Sequence, residues 1–81
     1  MSEAALDWIV RVHDDPITLR VYVDHVIEKV LGCRGEEAQS FTREAQAEGH
    51  FDVRKRTQDE AEEFAELFQS YGLRTTIVRG V

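Results

Sequence analysis

A single cysteine, Cys33, stands in a chain of 81 residues. No disulfide can form within the chain, which suits a reducing compartment. Proline and glycine are sparse too, at one and five residues, so the composition argues against disorder. No apolar run approaches the ~20 residues that a membrane-spanning helix needs. Residues 1–7, Met-Ser-Glu-Ala-Ala-Leu-Asp, lack the basic and apolar regions of a secretion signal. The expected location is therefore cytoplasmic. Positive charge is in deficit: 10 lysines and arginines stand against 16 aspartates and glutamates, a net charge of −6. Such a domain repels phosphate backbones, which makes nucleic acid a poor partner. The main basic cluster, Arg54-Lys55-Arg56, is short, has no interleaved aromatics and reads as a solvated strand end.

What is present is enough apolar material, 42% of residues, for one thin core and one domain. Trp8 to His13 alternates as a strand, with Trp8, Val10 and Val12 on one side and Ile9, Arg11 and His13 on the other. Asp14-Asp15-Pro16 ends it. Leu19, Tyr22, Val23, Val26, Ile27, Val30 and Leu31 recur at three and four, predicting a helix that Thr18 caps and Gly32 ends. A second helix is expected from Glu36 to about Ala47, with a thin apolar side of Ala38, Phe41 and Ala45. Phe51 and Val53 alternate with His50 and Asp52 as a second strand. Thr57 followed by Glu60 is a capping box. It opens a third helix, to about Tyr71, that turns Ala61, Phe64, Ala65, Phe68 and Tyr71 inward. Arg74 to Arg79 makes the third strand. The order β-α-α-β-α-β predicts an α+β sandwich with the helices on one face of the sheet. It forms one domain over residues 8–81, behind a short leader of residues 1–7.

An inventory of chemistry argues for binding over catalysis. Cys33 has no local motif that would pair it with His13, His25 or His50 as nucleophile and base. His13, Asp14, Asp15, Asp24 and His25 match neither a zinc nor a calcium spacing. There is no glycine-rich phosphate loop. No catalytic residue, metal or cofactor is assigned, and the chain is expected not to be an enzyme. Asp59, Glu60, Glu62, Glu63 and Glu66 form an acidic helix face, either simply solvated or a contact surface for a basic partner. The Asp14-Asp15 turn either satisfies its own amides or accepts hydrogen bonds from an ammonium group.

Around this turn a family pattern emerges. Val-His-Asp-Asp-Pro-Ile-Thr-Leu over 12–19, Tyr22-Val23 and Val26-Ile27-Glu28-Lys29-Val30-Leu31-Gly32 resemble ClpS, the bacterial adaptor of the Clp protease. The likeness continues through Glu37-Ala38, Ala47-Glu48-Gly49, Thr57-Gln58-Asp59-Glu60-Ala61-Glu62, Gly72-Leu73 and Thr75-Thr76. The resemblance implies three antiparallel strands and three helices, a fold similar to the C-terminal domain of the ribosomal stalk protein. It implies capture of a substrate's N-terminal residue (N-degron recognition) for a AAA+ unfoldase, ClpA or ClpC. In that pattern Asp14 and Asp15 hold the α-ammonium, Thr18 lies in the pocket, and Val23 and Leu73 form apolar wall.

Several positions depart from the family. Its pocket histidine aligns with Gln46, which can accept but does not titrate. Its methionine gate aligns near Arg20, and two apolar wall positions align with Thr42 and Ala45. These departures imply altered first-residue selectivity. The alternative is an interaction module of the same fold that has lost terminus recognition. For the unfoldase contact the family's lysine of the third helix is replaced by Phe64 or its neighbours, while Asp59, Glu60 and Glu63 keep the acidic end. The seven residues before the first strand, compared with the family's longer N-terminal extension, imply slow substrate delivery.

Overall fold

The computed structural model describes residues 8–80; the leader of residues 1–7 lies outside them. Six elements follow one another: β1 (Trp8–His13), α1 (Arg20–Leu31), α2 (Glu36–Glu48), β2 (His50–Lys55), α3 (Gln58–Ser70) and β3 (Thr75–Arg79). The sheet has the order β2-β1-β3, and both pairings are antiparallel. The expected α+β class and element order are those observed.

Alternation along β1 decides which side faces the helices. Val10 and Val12 are fully buried and join Phe51 and Val53 of β2 in the core. α2 and α3 lie on the sheet, and α1 packs against both. Phe51 sits between Phe41 and Phe68, with ring centroids 5.4 and 5.9 Å away. Burying each such ring contributes roughly 1.5–3 kcal/mol, beyond which the tilted geometry adds a little more. The opposite face of the sheet is mostly polar, apart from buried Ile9 and its neighbour Val78. Register places Arg11 opposite Asp52, and the guanidinium grips both carboxylate oxygens at 3.0 and 3.2 Å. That grip holds the Asp52 carboxyl below its usual value, against the smaller opposing effect of its burial.

Two helix starts differ from the expectation. Thr18 does not cap α1; Leu19 is the N-cap residue, in extended conformation and without a side-chain cap bond. The cause is Asp15, whose side chain accepts from the Ile17 amide at 2.9 Å and whose carbonyl accepts from the Thr18 amide at 3.1 Å. This Asx turn takes Thr18 as its last residue, and the cap position falls one residue later, on Leu19. Leu19, expected inward, is correspondingly exposed. The capping box at α3 is half made. The Glu60 amide donates to the Thr57 hydroxyl at 3.1 Å, but the Glu60 carboxylate returns to the Arg56 amide at 3.3 Å.

The end of α3 matters for the site. The Gly72 amide donates to the Gln69 carbonyl and the Leu73 amide to that of Phe68, the paired bonds of a Schellman motif. Gly72 supplies the left-handed residue this needs, at φ 88°. The motif turns Leu73 back into the core, where it is 4% exposed.

Candidate functional site

β1 delivers the acidic turn to a point where three loops meet. The His13 amide donates to the Arg74 carbonyl and the Asp14 amide to the Gly49 carbonyl, each at 2.9 Å. The turn is thus tied to the α3–β3 loop on one side and to the α2–β2 junction on the other. Asp14 and Asp15 are both exposed. One Asp15 oxygen is committed to the Ile17 amide. Among the described residues, the Asp14 carboxylate has neither a hydrogen-bond partner nor an ion-pair partner.

Six of the nine peptide-binding candidates, Asp14, Asp15, Thr18, Val23, Ala45 and Leu73, line one depression. Val12, His13 and Phe51 complete the lining. Its free volume is about 10 Å³, room for about one water molecule. By comparison, a cavity of ~150 Å³ holds a benzene ring. The depression is therefore polar at its lip, apolar at its base and closed to a bulky side chain in this conformation.

The other three candidates lie elsewhere. Arg20 and Thr42 line a separate cleft of about 280 Å³ between α1 and α2, together with Asp24, Gln39 and Arg43. Thr42 is buried, and its hydroxyl donates to the Asp24 carboxylate. Gln46, expected to line the depression, is exposed on α2 and lines neither hollow. Helical spacing explains this: Ala38 and Ala45, seven residues apart, set the inward face, and Gln46 lies ~100° around the helix from Ala45. A larger recess, about 520 Å³, lies at the far end of α1 among His25, Glu28, Lys29, Arg34 and Gly35, away from the acidic turn.

His13 escaped the sequence reading as a site residue. Its signal was position alone, since the last residue of β1 adjoins the turn. Its Nε2 lies 2.8 Å from the Thr76 hydroxyl, and its ring meets that of His50 edge-on at 6.3 Å. Partial burial, then Arg74, His50 and Arg11, push its pKa down, with only Asp52 pulling the other way. At neutral pH it therefore borders the depression as an uncharged ring.

Asp59, Glu60 and Glu63 are exposed on α3, as their spacing predicts. Glu60 also serves the helix start, through the Arg56 amide. Phe64 lies beneath the Lys55 ammonium, 3.8 Å from its ring centre. Lys55 is thereby only half solvated, unlike the free strand end expected. Among the described residues, no group of three or more His, Cys, Asp or Glu side chains is placed to hold a metal ion. Nor is any helix there long and apolar enough to cross a membrane.

Comparison with known proteins gives the lineage of this arrangement. Residues 3–76 match the family model described as ATP-dependent Clp protease adaptor protein ClpS. Similar curated proteins carry the name ATP-dependent Clp protease adapter protein ClpS. The one from Streptomyces avermitilis is 28% identical over 77 residues, covering 95% of this chain and 73% of the relative. The one from Streptomyces coelicolor is 27% identical, covering 95% of this chain and 80% of the relative. The one from Corynebacterium jeikeium is 30% identical over 79 residues, covering 98% and 78%. With a match that spans almost the whole chain and a fold that carries the acidic turn, this chain belongs to the ClpS family of ATP-dependent Clp protease adaptor proteins.

Proposed function

We propose that this chain is a cytoplasmic, non-catalytic adaptor that binds the N-terminal residue of substrate polypeptides and presents them to a Clp AAA+ unfoldase of ClpA or ClpC type. Its first-residue selectivity departs from the family's bulky apolar pattern. The observation that carries the reading is the gathering of Asp14, Asp15, Thr18, Val23, Ala45 and Leu73 around one depression. An α-ammonium offers donors and no acceptor, and the lip offers acceptors. The Asp14 carboxylate and the second Asp15 oxygen supply charge-assisted bonds, each worth roughly 1.5–3 kcal/mol. Neutral His13 adds no competing positive charge beside them.

Altered selectivity is supported by the small volume at the base and by the polar residues one turn away. A phenylalanine or leucine side chain does not fit about 10 Å³ without rearrangement of Val23 or Leu73. Arg20, Thr42 and Gln46 bring charge and hydrogen-bonding groups to the neighbouring surface. The acidic positions Asp59, Glu60 and Glu63 on α3 are the proposed contact for a basic patch on the unfoldase. Such rim charges govern association rate and salt sensitivity more than final affinity.

The same small volume favours a second reading, an interaction module of this fold without terminus recognition. One measurement separates them. A peptide with a free N-terminus should bind at least about tenfold more tightly than its acetylated twin. Equal affinity for the two would leave the interaction module as the better description.

A further inference from the structure

The cleft between α1 and α2 has a composition that a purely apolar-selective adaptor has no use for. Arg20 and Arg43 flank it, and Gln39, Thr42 and Asp24 complete it, around a free volume of about 280 Å³. Among the described residues, neither guanidinium is in an ion pair. The one carboxylate in the cleft, Asp24, is taken up by the Thr42 hydroxyl. Two guanidiniums against one engaged carboxylate leave the cleft locally cationic, in a chain whose net charge is −6.

The position of the cleft ties it to the acidic turn. Thr42 of the cleft and Ala45 of the depression are three residues apart on α2, and Arg20 and Val23 are three apart on α1. Three residues of helix rise only ~4.5 Å. The two hollows therefore adjoin along both helices. A glutamate carries its carboxylate about 4 Å from its α-carbon, across three bonds of ~1.5 Å. Recognition of both charges of one residue requires that, from an α-ammonium held at Asp14, the side-chain carboxylate extend along the helices toward the guanidiniums. Arginine's forked donors match a carboxylate in two-point geometry, which a neutral amide cannot equal.

We propose that the Arg20–Arg43 cleft is a carboxylate-recognition site, and that it selects substrates whose first residue is acidic. This rests on the terminus-binding reading above. The two charges of such a residue, ammonium and carboxylate, find opposite charges in the two adjoining hollows. A bulky apolar first residue finds neither a large enough depression nor an apolar neighbour.

The test uses otherwise identical, neutral peptides that begin with Glu, Gln or Phe, each free and N-acetylated, titrated by fluorescence anisotropy. The Glu peptide should bind about tenfold more tightly than the Gln peptide, and more tightly than the Phe peptide. In the Arg20→Gln/Arg43→Gln variant the Glu-to-Gln affinity ratio should collapse to about one. In the charge-matched control Arg34→Gln/Arg54→Gln, altered away from the cleft, that ratio should persist. A Glu-to-Gln ratio near one in the natural protein, or one that survives loss of both cleft arginines, overturns the proposal. If acetylation weakens every peptide but Glu has no advantage, the cleft assignment fails alone. If acetylation is silent while the Glu advantage persists and depends on the two arginines, terminus recognition fails and the carboxylate site stands. Absence of binding by all the peptides overturns both.

Discussion

The Asp14 amide donates to the Gly49 carbonyl at 2.9 Å, which fastens the acidic turn to the end of α2. Gly49 can present that carbonyl because it closes the helix in the left-handed region, at φ 87°. Replacement by alanine strains this conformation by about 1–2 kcal/mol. Gly49→Ala should therefore lower the unfolding free energy by about 1 kcal/mol and also weaken binding of free N-termini. Glu66→Gly, on the exposed side of α3, should cost about as much stability and leave binding unchanged. Denaturant unfolding and peptide titration on the two variants check the pair. Equal binding losses would show that the turn does not depend on this junction.

The two carboxylates of the turn should respond differently. Asp14→Asn should cost at least about tenfold in affinity for a free N-terminus, with little effect on folding, because the Asp14 side chain serves no internal amide. Asp15→Asn keeps an oxygen for the Ile17 amide and loses only charge. Asp15→Ala loses the Asx turn as well and should destabilise the start of α1 by about 1 kcal/mol. A Tm comparison of the two Asp15 variants reads the structural share directly.

Thr42 and Asp24 form one polar unit between α1 and α2. Removing the hydroxyl in Thr42→Val leaves the half-buried carboxylate without that donor and should cost about 1–2 kcal/mol. On an Asp24→Ala background the same change should cost much less. The double-mutant cycle isolates their coupling, and additive losses would mean that the bond contributes nothing to stability.

His13 makes stability depend on pH. Its folded-state pKa lies below the ordinary 6.5, chiefly through burial, so the unfolded chain takes up the proton first as pH falls. The stability associated with neutral His13 is full above about pH 6.5. It declines below that value until the lowered native pKa is passed. In His13→Asn the fall in Tm between pH 7.5 and 5 should be smaller than in the natural protein. An unchanged slope would assign the dependence to other groups.

Most of this fold is written locally. Period two in Trp8–His13, periods of three and four in α1 and α3, and glycines at helix ends all use rules that operate within a few residues. The element boundaries accordingly fall within a residue or so of expectation. The site was legible to the extent that it sits on those elements: Val23 and Ala45 are simply inward helical positions near the turn. Thr18 misled because threonine before a helix signals a cap; the Asp15 turn, through the Ile17 and Thr18 amides, takes Thr18 as its last residue, and the cap position falls on Leu19. Gln46 misled for another reason. The family resemblance placed it at a pocket position, but resemblance does not record that its side chain turns to solvent. The separation of Arg20 and Thr42 from the depression depends on how α1 and α2 pack, which no local pattern records.

The order β2-β1-β3 puts the first strand made in the middle of the sheet. Trp8 pairs with Lys55 on one side and with Arg79 on the other, so the central strand waits for partners from almost the full length of the domain. During synthesis, α1 and α2 can form on the spot, but the sheet beneath them gains its second border only when β3 leaves the ribosome. Long-range closure of this kind slows folding relative to a helical bundle of equal size. It also means that the acidic turn, hung between β1 and the loop before β3, takes its final shape among the last parts of the molecule. On the proposed terminus-binding reading, a nascent copy therefore gains its binding turn only once β3 has paired.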